Sequence, residues 1–403
     1  MKTGDDYRLT LRVCFVTFVV QAVIVNFAPL LFVEWGAQFG LPLGKVTALI
    51  TFNFGIQLLT DLASAFFVDR LGYRRSMFAA HVFCAAGLVS LATLPFVLPD
   101  SYAGLFVATG LYGIGGGLIE VLVSPIVEAC PTDNKETAMS LLHSFYSWGQ
   151  AAVTLLTTAF FAIFGIERWR LLAVIWGLLP LGNMIVLFFA PMPPLIRAEE
   201  NGKGGFAAIF RTPFFWLSVL MMICAGGSEQ AISQWSSSFA ERGLGVSKTA
   251  GDLLGPMLFA VMMAVARTAF GKFGHKLELR KIMLASSVLC VACYLVAALS
   301  EMPLLSLVAC GMTGLACGIF WPGTLSISAA SVKNGGNRMF SLLALAGDIG
   351  CNLGPTFAGA VASAKGDDLG AGILAAVVLP CMMTVCIIVA FGRNSIANQA
   401  KKK

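Results

Sequence analysis

The sequence predicts an all-α integral membrane protein with twelve transmembrane helices in two pseudo-symmetric six-helix bundles. Three observations lead to this fold class. Hydrophobic residues make up 58% of the 403 residues and charged residues only 12%, whereas soluble domains are usually at most about half apolar. Apolar runs of about 20 residues, long enough to cross a bilayer as helices, recur along the chain. Segments of the first half also recur in the second half.

The apolar runs define twelve predicted spans. The first run is too long for a signal peptide and lacks a small-residue cleavage site. The spans cover residues 11–35, 45–68, 75–97, 102–128, 137–164, 169–190, 213–240, 249–271, 280–299, 303–330, 338–363 and 370–391.

The distribution of basic residues predicts the orientation of these spans. With both termini in the cytoplasm, 20 of the 27 Lys and Arg residues fall in cytoplasmic segments and 6 in outer loops, as the positive-inside rule requires. The net charge of +6 therefore reports topology, and no nucleic-acid partner is expected. We expect a monomer in the plasma membrane, namely the inner membrane of a bacterium.

Three sequence matches indicate an internal duplication. DRLGYR from Asp69 aligns with GKFGHK from Gly271, GIGGGLIEVLVS from Gly113 with GLACGIFWPGTL from Gly314, and SLLHSFYSWG from Ser140 with SLLALAGDIG from Ser341. The offsets are 202, 201 and 201, close to half of the chain. We therefore predict two bundles, residues 1–190 and 213–403, which are joined by a cytoplasmic linker rich in Pro and Gly at 191–212.

The sequence argues against an enzyme. It contains no P-loop, HExxH or GxSxG sequence, so no catalytic residues are predicted. Cys290 and Cys293 have CxxC spacing, but without a second pair or a nearby His they predict no metal site. No cofactor is expected, and protons are the expected coupling ion.

Ionisable residues inside predicted spans are the candidate functional groups, because each costs about 2.5 to 3.5 kcal/mol at the centre of a bilayer. Glu120 follows four glycines in the fourth span. A carboxyl in this apolar setting could exchange a proton as water access alternates. Hydrogen bonding to a solute and a purely structural role are the alternatives.

Polar and aromatic residues in other spans suggest a solute site. The seventh span carries Glu229, Gln230 and Trp235, which suit a hydroxylated ligand; the alternative is that this end of the span is hydrated because it lies near the outer surface. Trp321 in the tenth span aligns with Glu120 in the repeat, and packing is its alternative role. The predicted solute-binding residues are Gln21, Asn26, Glu120, Tyr146, Glu229, Gln230, Trp235, Trp321 and Asn352.

Two further residues are candidates for proton transfer. His143 shares a helix face with Tyr146 and could carry a proton, or could be structural. Asp348 shares a face with Asn352, and a gate or helix-end contact is its alternative role. Apart from Arg267, which is expected to pair with an acid near the cytoplasm, the spans contain no basic residue at mid-membrane depth. A neutral solute is therefore expected.

The stretch VDRLGYRRSM between the second and third spans resembles the signature loop of the major facilitator superfamily, with Ala65 where the family usually has Gly. Gly72 permits a tight turn, and Asp69, Arg70, Arg74 and Arg75 can pair with helix ends. Alternatively, the Arg residues only anchor the topology. The predicted cytoplasmic gate consists of Asp61, Asp69, Arg70, Gly72, Arg74, Arg75 and Arg267.

GIGGGLIEVLVSP with LLHSFYSWGQ resembles the fucose permease-like sugar branch of this superfamily. That branch often has Asn at the position of Ser124 and an Asp in the first span, where this chain offers Gln21 and Asn26. The resemblance implies proton coupling at Glu120 and proton symport of a monosaccharide by alternating access. The alternatives are an exporter of amphipathic molecules on the same fold and a receptor without transport.

Overall fold

The computed structural model describes residues 7–131, 135–193, 209–273, 278–332 and 336–400. Within these ranges only the backbone is described at 65–67, 69, 135–140, 271–273, 329–330, 336–338, 340 and 392–400. The described residues are almost entirely helical, and they contain no β-strand.

Eleven helical segments of the described chain are long and apolar enough to cross a membrane. The 29-residue helix Gly336–Ala364 coincides with the predicted span 338–363. The all-α membrane fold is confirmed. Most of the predicted linker 191–212 lies outside the described residues.

Two units make up the chain, and each is described by itself. Unit 1 comprises residues 1–198 and 247–253, and unit 2 comprises residues 199–246 and 254–403. The helices of unit 1 are α1 Arg8–Asn26, α2 Phe32–Phe39, α3 Leu43–Leu71, α4 Tyr73–Val97, α5 Ser101–Ala129, α6 Lys135–Phe164, α7 Trp169–Phe189 and the short α9 Lys248–Asp252.

Unit 2 repeats the pattern of long helices, with two spans broken into shorter pieces. Its helices are α8 Pro213–Ser238, α10 Leu258–Phe273, α11 Leu279–Leu299, α12 Pro303–Cys317, α13 Phe320–Ser331, α14 Gly336–Ala364, α15 Leu369–Ala376 and α16 Val378–Ala400. Pro256 lies in the π-helical turn Leu253–Met257 before α10, where the missing N–H of proline cannot bond to the preceding turn.

A buried polar cluster fixes α1 against α4 and α7 in unit 1. The amide nitrogen of Asn183 donates to the Thr17 hydroxyl at 2.9 Å and lies 2.9 Å from Nε2 of His81. Nδ1 of His81 is 2.7 Å from the carbonyl oxygen of Met77, so Nδ1 carries the proton and Nε2 accepts. Because Gln21 lies one turn beyond Thr17 on α1, this cluster also fixes the position of Gln21.

Glycines bring α8 and α14 of unit 2 into close backbone contact. A Cβ atom at Gly350 would collide with the backbone of Ile223, and one at Gly354 would collide with the backbone of Gly227. Only residues without a side chain allow helices to approach this closely. The close contact places the polar stretch that follows Gly227 inside the unit.

Gly72 forms the turn between α3 and α4. Its φ of 81° and ψ of 158° belong to a region that is essentially restricted to glycine. The N–H of Gly72 donates to the Val68 carbonyl at 2.8 Å, and the Gly72 carbonyl accepts from the N–H of Ser76 at 3.2 Å. The tight turn predicted for Gly72 is present.

Replacing Gly72 should therefore destabilise the protein even though its surroundings are open. We expect Gly72→Ala to cost about 1 to 3 kcal/mol, because alanine must adopt the strained backbone conformation. Gly182→Ala is the matched control: it lies within α7 with nothing within 4 Å of the added Cβ, and should stabilise the helix by about 0.5 to 1 kcal/mol. Apparent Tm values in detergent should shift in opposite directions. Equal shifts would contradict the assigned strain.

Candidate functional site

Glu120 carries an exposed carboxylate far from both ends of α5. It lies nine residues before the end of the helix, about 14 Å at 1.5 Å per residue, and its side chain is exposed in the structure. A carboxylate at this depth is strongly disfavoured in lipid. Glu120 therefore requires contact with water, a solute or protein groups.

A row of amide side chains connects Glu120 to α1 and α3 of unit 1. Nε2 of Gln21 donates to Oε1 of Gln57 at 3.0 Å and to Oε2 of Glu120 at a longer 3.4 Å. Nε2 of Gln57 in turn donates to Oδ1 of Asn53 at 3.2 Å. Gln21, Gln57 and Asn53 are all buried. We call these three residues with Glu120 the amide row.

The amide row contains an acceptor with no hydrogen bond in the described structure. Gln21 is 2% exposed, and its Oε1 has no hydrogen-bond partner among the described residues. A buried acceptor without a partner costs about 1 to 3 kcal/mol. A solute hydroxyl or a water beside Glu120 could satisfy it.

Two members of the amide row were missed in the sequence. Asn53 and Gln57 are uncharged, and their significance lies in their neighbours on other helices. Their spacing of four on one helix face was the available signal. Asp61, which was predicted as a gate residue, continues the same face by one turn and lies beside Gly117 of α5. Its gate role stays a prediction.

His143 and Tyr146 lie on one face of α6, as predicted. Both rings pack against Phe18 of α1, with ring centroids 5.6 and 6.3 Å apart respectively. His143 is exposed and Tyr146 half-buried. Asn26, in contrast, is buried and donates to the Ala22 carbonyl at 2.9 Å, which is a contact within its own helix.

Unit 2 contains an ion pair between α8 and α10. Nη2 of Arg267 lies 3.1 Å from Oε2 of Glu229, and the side chains are 17% and 10% exposed. An acid partner was predicted for Arg267 near the cytoplasmic end of its helix. The observed partner lies about 24 Å along α8 from Pro213, at 1.5 Å per residue. The sequence assigned Arg267 to a gate and Glu229 to a solute site, but the two residues form one ion pair.

Two other predicted solute residues of unit 2 make internal contacts. Oε1 of Gln230 accepts from Nε2 of Gln234 at 3.2 Å. The indole of Trp235 is fully buried, and its N–H donates to the Pro355 carbonyl at 2.9 Å. This bond fastens α8 to α14 and supports packing as the role of Trp235. A contact of either residue with a solute stays a prediction.

The remaining candidates of unit 2 lie on α13 and α14. The ring of Trp321 packs against Gly347, where a Cβ atom would collide with it, and this favours the packing role. Asp348 and Asn352 are half-buried. Their predicted roles in coupling and solute binding stay predictions.

Next to the turn between α3 and α4, Arg74 binds the end of α7. Its guanidinium donates to the carbonyl oxygens of Leu187, Phe188 and Ala190 at 3.1, 2.7 and 2.6 Å. The last carbonyls of a helix lack partners within the helix and carry its negative end. Arg70 and Arg75 are exposed. The Asp69 side chain lies outside the described residues.

The structure also reveals a buried carboxylate in α9 that the sequence analysis overlooked. Asp252 is fully buried; its Oδ2 accepts from the Thr158 hydroxyl at 3.1 Å, and its Oδ1 lies 3.0 Å from Nζ of Lys248. Asp252 follows Lys248 by four residues, which is the spacing of a helical ion pair. The segment 247–253 thus joins α6 within unit 1.

Long apolar helices with carboxylates and amides deep within them are typical of membrane transporters. A family model of the Major Facilitator Superfamily matches residues 13–312 and 244–403. The chain belongs to this superfamily of multi-pass membrane transporters. No curated protein sequence is significantly similar to it.

Solved structures share the fold at low sequence identity. A bacterial homologue of the human lysosomal transporter Spinster, in an inward-facing and occupied conformation, has a TM-score of 0.77 and 16% identity over 95% of this chain and 97% of that one. The nucleoside transporter NupG has a TM-score of 0.75 and 12% identity over 95% and 100%. The E. coli fucose:proton symporter FucP has 0.64 and 15% over 96% and 99%.

The contacts of Arg74 predict a structural cost that its neighbour Arg75 does not share. We expect Arg74→Gln to destabilise the protein by about 2 kcal/mol, since it loses charged hydrogen bonds to the end of α7. Arg75→Gln removes the same charge from an exposed position and should change stability by less than about 0.5 kcal/mol. Thermal unfolding in detergent compares the two variants. If both variants changed the stability equally, the hydrogen bonds of Arg74 would not stabilise the protein. The alternative, that the Arg residues only anchor the topology, would then hold for Arg74.

The amide row predicts non-additive effects of substitution. Gln57→Met should leave a buried N–H of Gln21 without its acceptor, at a cost of about 1 to 3 kcal/mol. We expect Gln21→Met/Gln57→Met to cost clearly less than the sum of the two single substitutions, as for residues in one network. The apparent Tm of all four proteins measures this coupling. Additive shifts would show that the two amides act independently.

Proposed function

We propose that this protein is a proton-coupled secondary transporter of a small polyhydroxylated solute, such as a monosaccharide. It would act as a symporter by alternating access, with no cofactor and with protons as the coupling ion. The observation that carries the proposal is the exposed carboxylate of Glu120, bonded to the buried amide of Gln21. FucP, which shares the fold, is a fucose:proton symporter, and this supports the proposal.

Protonation of Glu120 offers a physical basis for coupling. As a carboxylate, Glu120 only accepts hydrogen bonds, and Gln21 donates one to it. As a carboxylic acid, it can also donate, either to Oε1 of Gln21 or to a hydroxyl of the solute. Each protonation state of Glu120 thus favours a different hydrogen-bond pattern around the amide row.

Amides and hydroxyls favour a polyhydroxylated solute over an amphipathic one. Binding sites for small molecules use a few convergent polar groups to orient the ligand. Gln21, Gln57 and Asn53 offer such groups beside Glu120. An exporter of amphipathic molecules on the same fold would need a mostly apolar site.

The membrane location and orientation are also proposed. The excess of Lys and Arg in alternate loops supports cytoplasmic termini, and we propose that the protein lies in a bacterial inner membrane. His143 is proposed as a further proton carrier because it lies exposed on the face of α6 that packs on α1. A monomer is the simplest state for a transporter with one solute site.

Transport by Glu120→Gln tests the proposal. Proteoliposomes with the wild-type protein are given a labelled panel of hexoses, deoxyhexoses and hexuronates. We expect them to accumulate a sugar of this panel only with an inward proton gradient. Glu120→Gln should still exchange that sugar across the membrane but fail to concentrate it, because glutamine cannot carry a proton. With a gradient of about one pH unit and one proton per sugar, accumulation should fall about tenfold, because about 1.4 kcal/mol corresponds to a factor of ten in concentration.

A matched control lies on the same helix. Glu128→Gln makes the same change at an exposed position two turns beyond Glu120 and should leave gradient-driven accumulation intact. If Glu120→Gln still concentrates the sugar, Glu120 is not the proton carrier. If no sugar moves in wild type, the amphipathic exporter becomes the leading hypothesis.

A further inference from the structure

The ion pair between Arg267 and Glu229 has no explanation in the proposed sugar site. Arg267 is a basic residue within a span, and its guanidinium lies 3.1 Å from the Glu229 carboxylate. Each charge is costly at membrane depth. Buried ion pairs are often no more stabilising than apolar residues of the same volume. Stability alone therefore gives no reason for a charged pair at this place.

The surroundings of Glu229 are polar and partly unsatisfied. Gln230 and Gln234 follow it on α8, and both are buried. The Tyr294 hydroxyl donates to the Ser228 carbonyl at 2.6 Å. The Ser228 hydroxyl is fully buried and has no hydrogen-bond partner among the described residues. A buried hydroxyl without a partner, one residue before Glu229 on α8, is an independent indication of a ligand or water in this part of unit 2.

We propose that Arg267 and Glu229 form a binding site for an acidic group, a carboxylate or a phosphate monoester, on the transported solute. The planar guanidinium suits both groups, because its N–H donors bind two oxygens at once. In the absence of solute, Glu229 takes the place of the acid. The proposal rests on the proposed transport function, and it replaces the expected neutral solute by an acidic one.

Charge balance decides how an acid could enter this site. The pair of Arg267 and Glu229 is neutral, so an added carboxylate leaves one excess negative charge. A proton taken up by Glu229 together with the solute restores neutrality, and the acid then binds Arg267. This proton would be separate from the one proposed for Glu120.

Other titratable groups face this part of α8 from the neighbouring helices. The thiol of Cys317 is close enough to interact electrostatically with both charges, and Cys351 lies against Gly226. Of the titratable and charged groups in the described part of unit 2, Arg267 from α10, Tyr294 from α11, Cys317 from α12 and Cys351 from α14 face this part of α8. Arg267 is the positive charge among them, and it is therefore the group that an acid would bind.

Binding of matched acid and neutral compounds tests the proposal. The pairs are galacturonate with galactose, glycerol 3-phosphate with glycerol, and octanoate with octanol. Each compound is titrated against purified protein, and the ligand-dependent rise in Tm gives its apparent affinity. We expect the acidic member of at least one pair to bind about tenfold or more tightly than its neutral partner.

The variants separate recognition from folding. Arg267→Gln alone leaves Glu229 without its partner and could unfold the protein, so the key variant is Arg267→Gln/Glu229→Gln, which removes both charges. It should remain folded and bind both members of each pair equally. The control is Lys281→Gln/Glu278→Gln, which removes an exposed ion pair of 2.8 Å and should retain the preference for the acid.

The outcomes distinguish the two proposals. If galactose binds and no acid binds better than its neutral partner, the acid site is overturned while the sugar proposal stands. If only octanoate or glycerol 3-phosphate shows a preference that depends on Arg267, the acid site stands and the sugar proposal fails. A preference that persists in the double variant, or a panel without binding, overturns the acid site.

Discussion

A polar group inside a bilayer must find its partner within the protein, and the features described above follow from this constraint. The backbone meets it by forming helices. The end of α7 meets it through Arg74, which binds three carbonyls that the helix leaves unpaired. Asn183, His81 and Thr17 meet it by bonding to one another across three helices. Partner choice thus determines which helices pack together.

Small residues let polar partners reach each other. A Cβ atom at Gly116 would lie 3.0 Å from Oε1 of Gln57 and 3.2 Å from Oε1 of Gln21, which is tighter than ordinary contact. The glycines before Glu120 therefore make room for the amide row as well as for helix packing. Their position near Glu120 has a physical reason, because the amides of Gln21 and Gln57 occupy the space that a side chain would fill.

The sequence was informative where the signal lies within one continuous segment of the chain. Apolar length predicted the spans, Gly72 predicted the turn, and the basic loop predicted an Arg bound to a helix end. Partners on different helices were harder to predict, because their contact depends on the rotation of each helix about its axis and on the depth of each residue in the membrane. Arg267 was placed in a gate and Glu229 in a solute site, although the two form one pair. Asn53, Gln57, His81 and Asp252 were missed for the same reason, since their significance lies in their neighbours.

The two halves carry different residues at one pair of positions that the sequence repeat aligns. Glu120 and Trp321 occupy equivalent positions of the repeat, yet the carboxylate is exposed and the indole packs against Gly347. Unit 1 thus contains a carboxylate bonded to neutral amides, and unit 2 contains a carboxylate bonded to a guanidinium. The first carboxylate can gain a proton without leaving a cation unpaired. Glu229 cannot, because its protonation leaves Arg267 in need of another anion. A duplicated fold that keeps one carboxylate of each kind can therefore bind a proton and an acidic solute at separate sites.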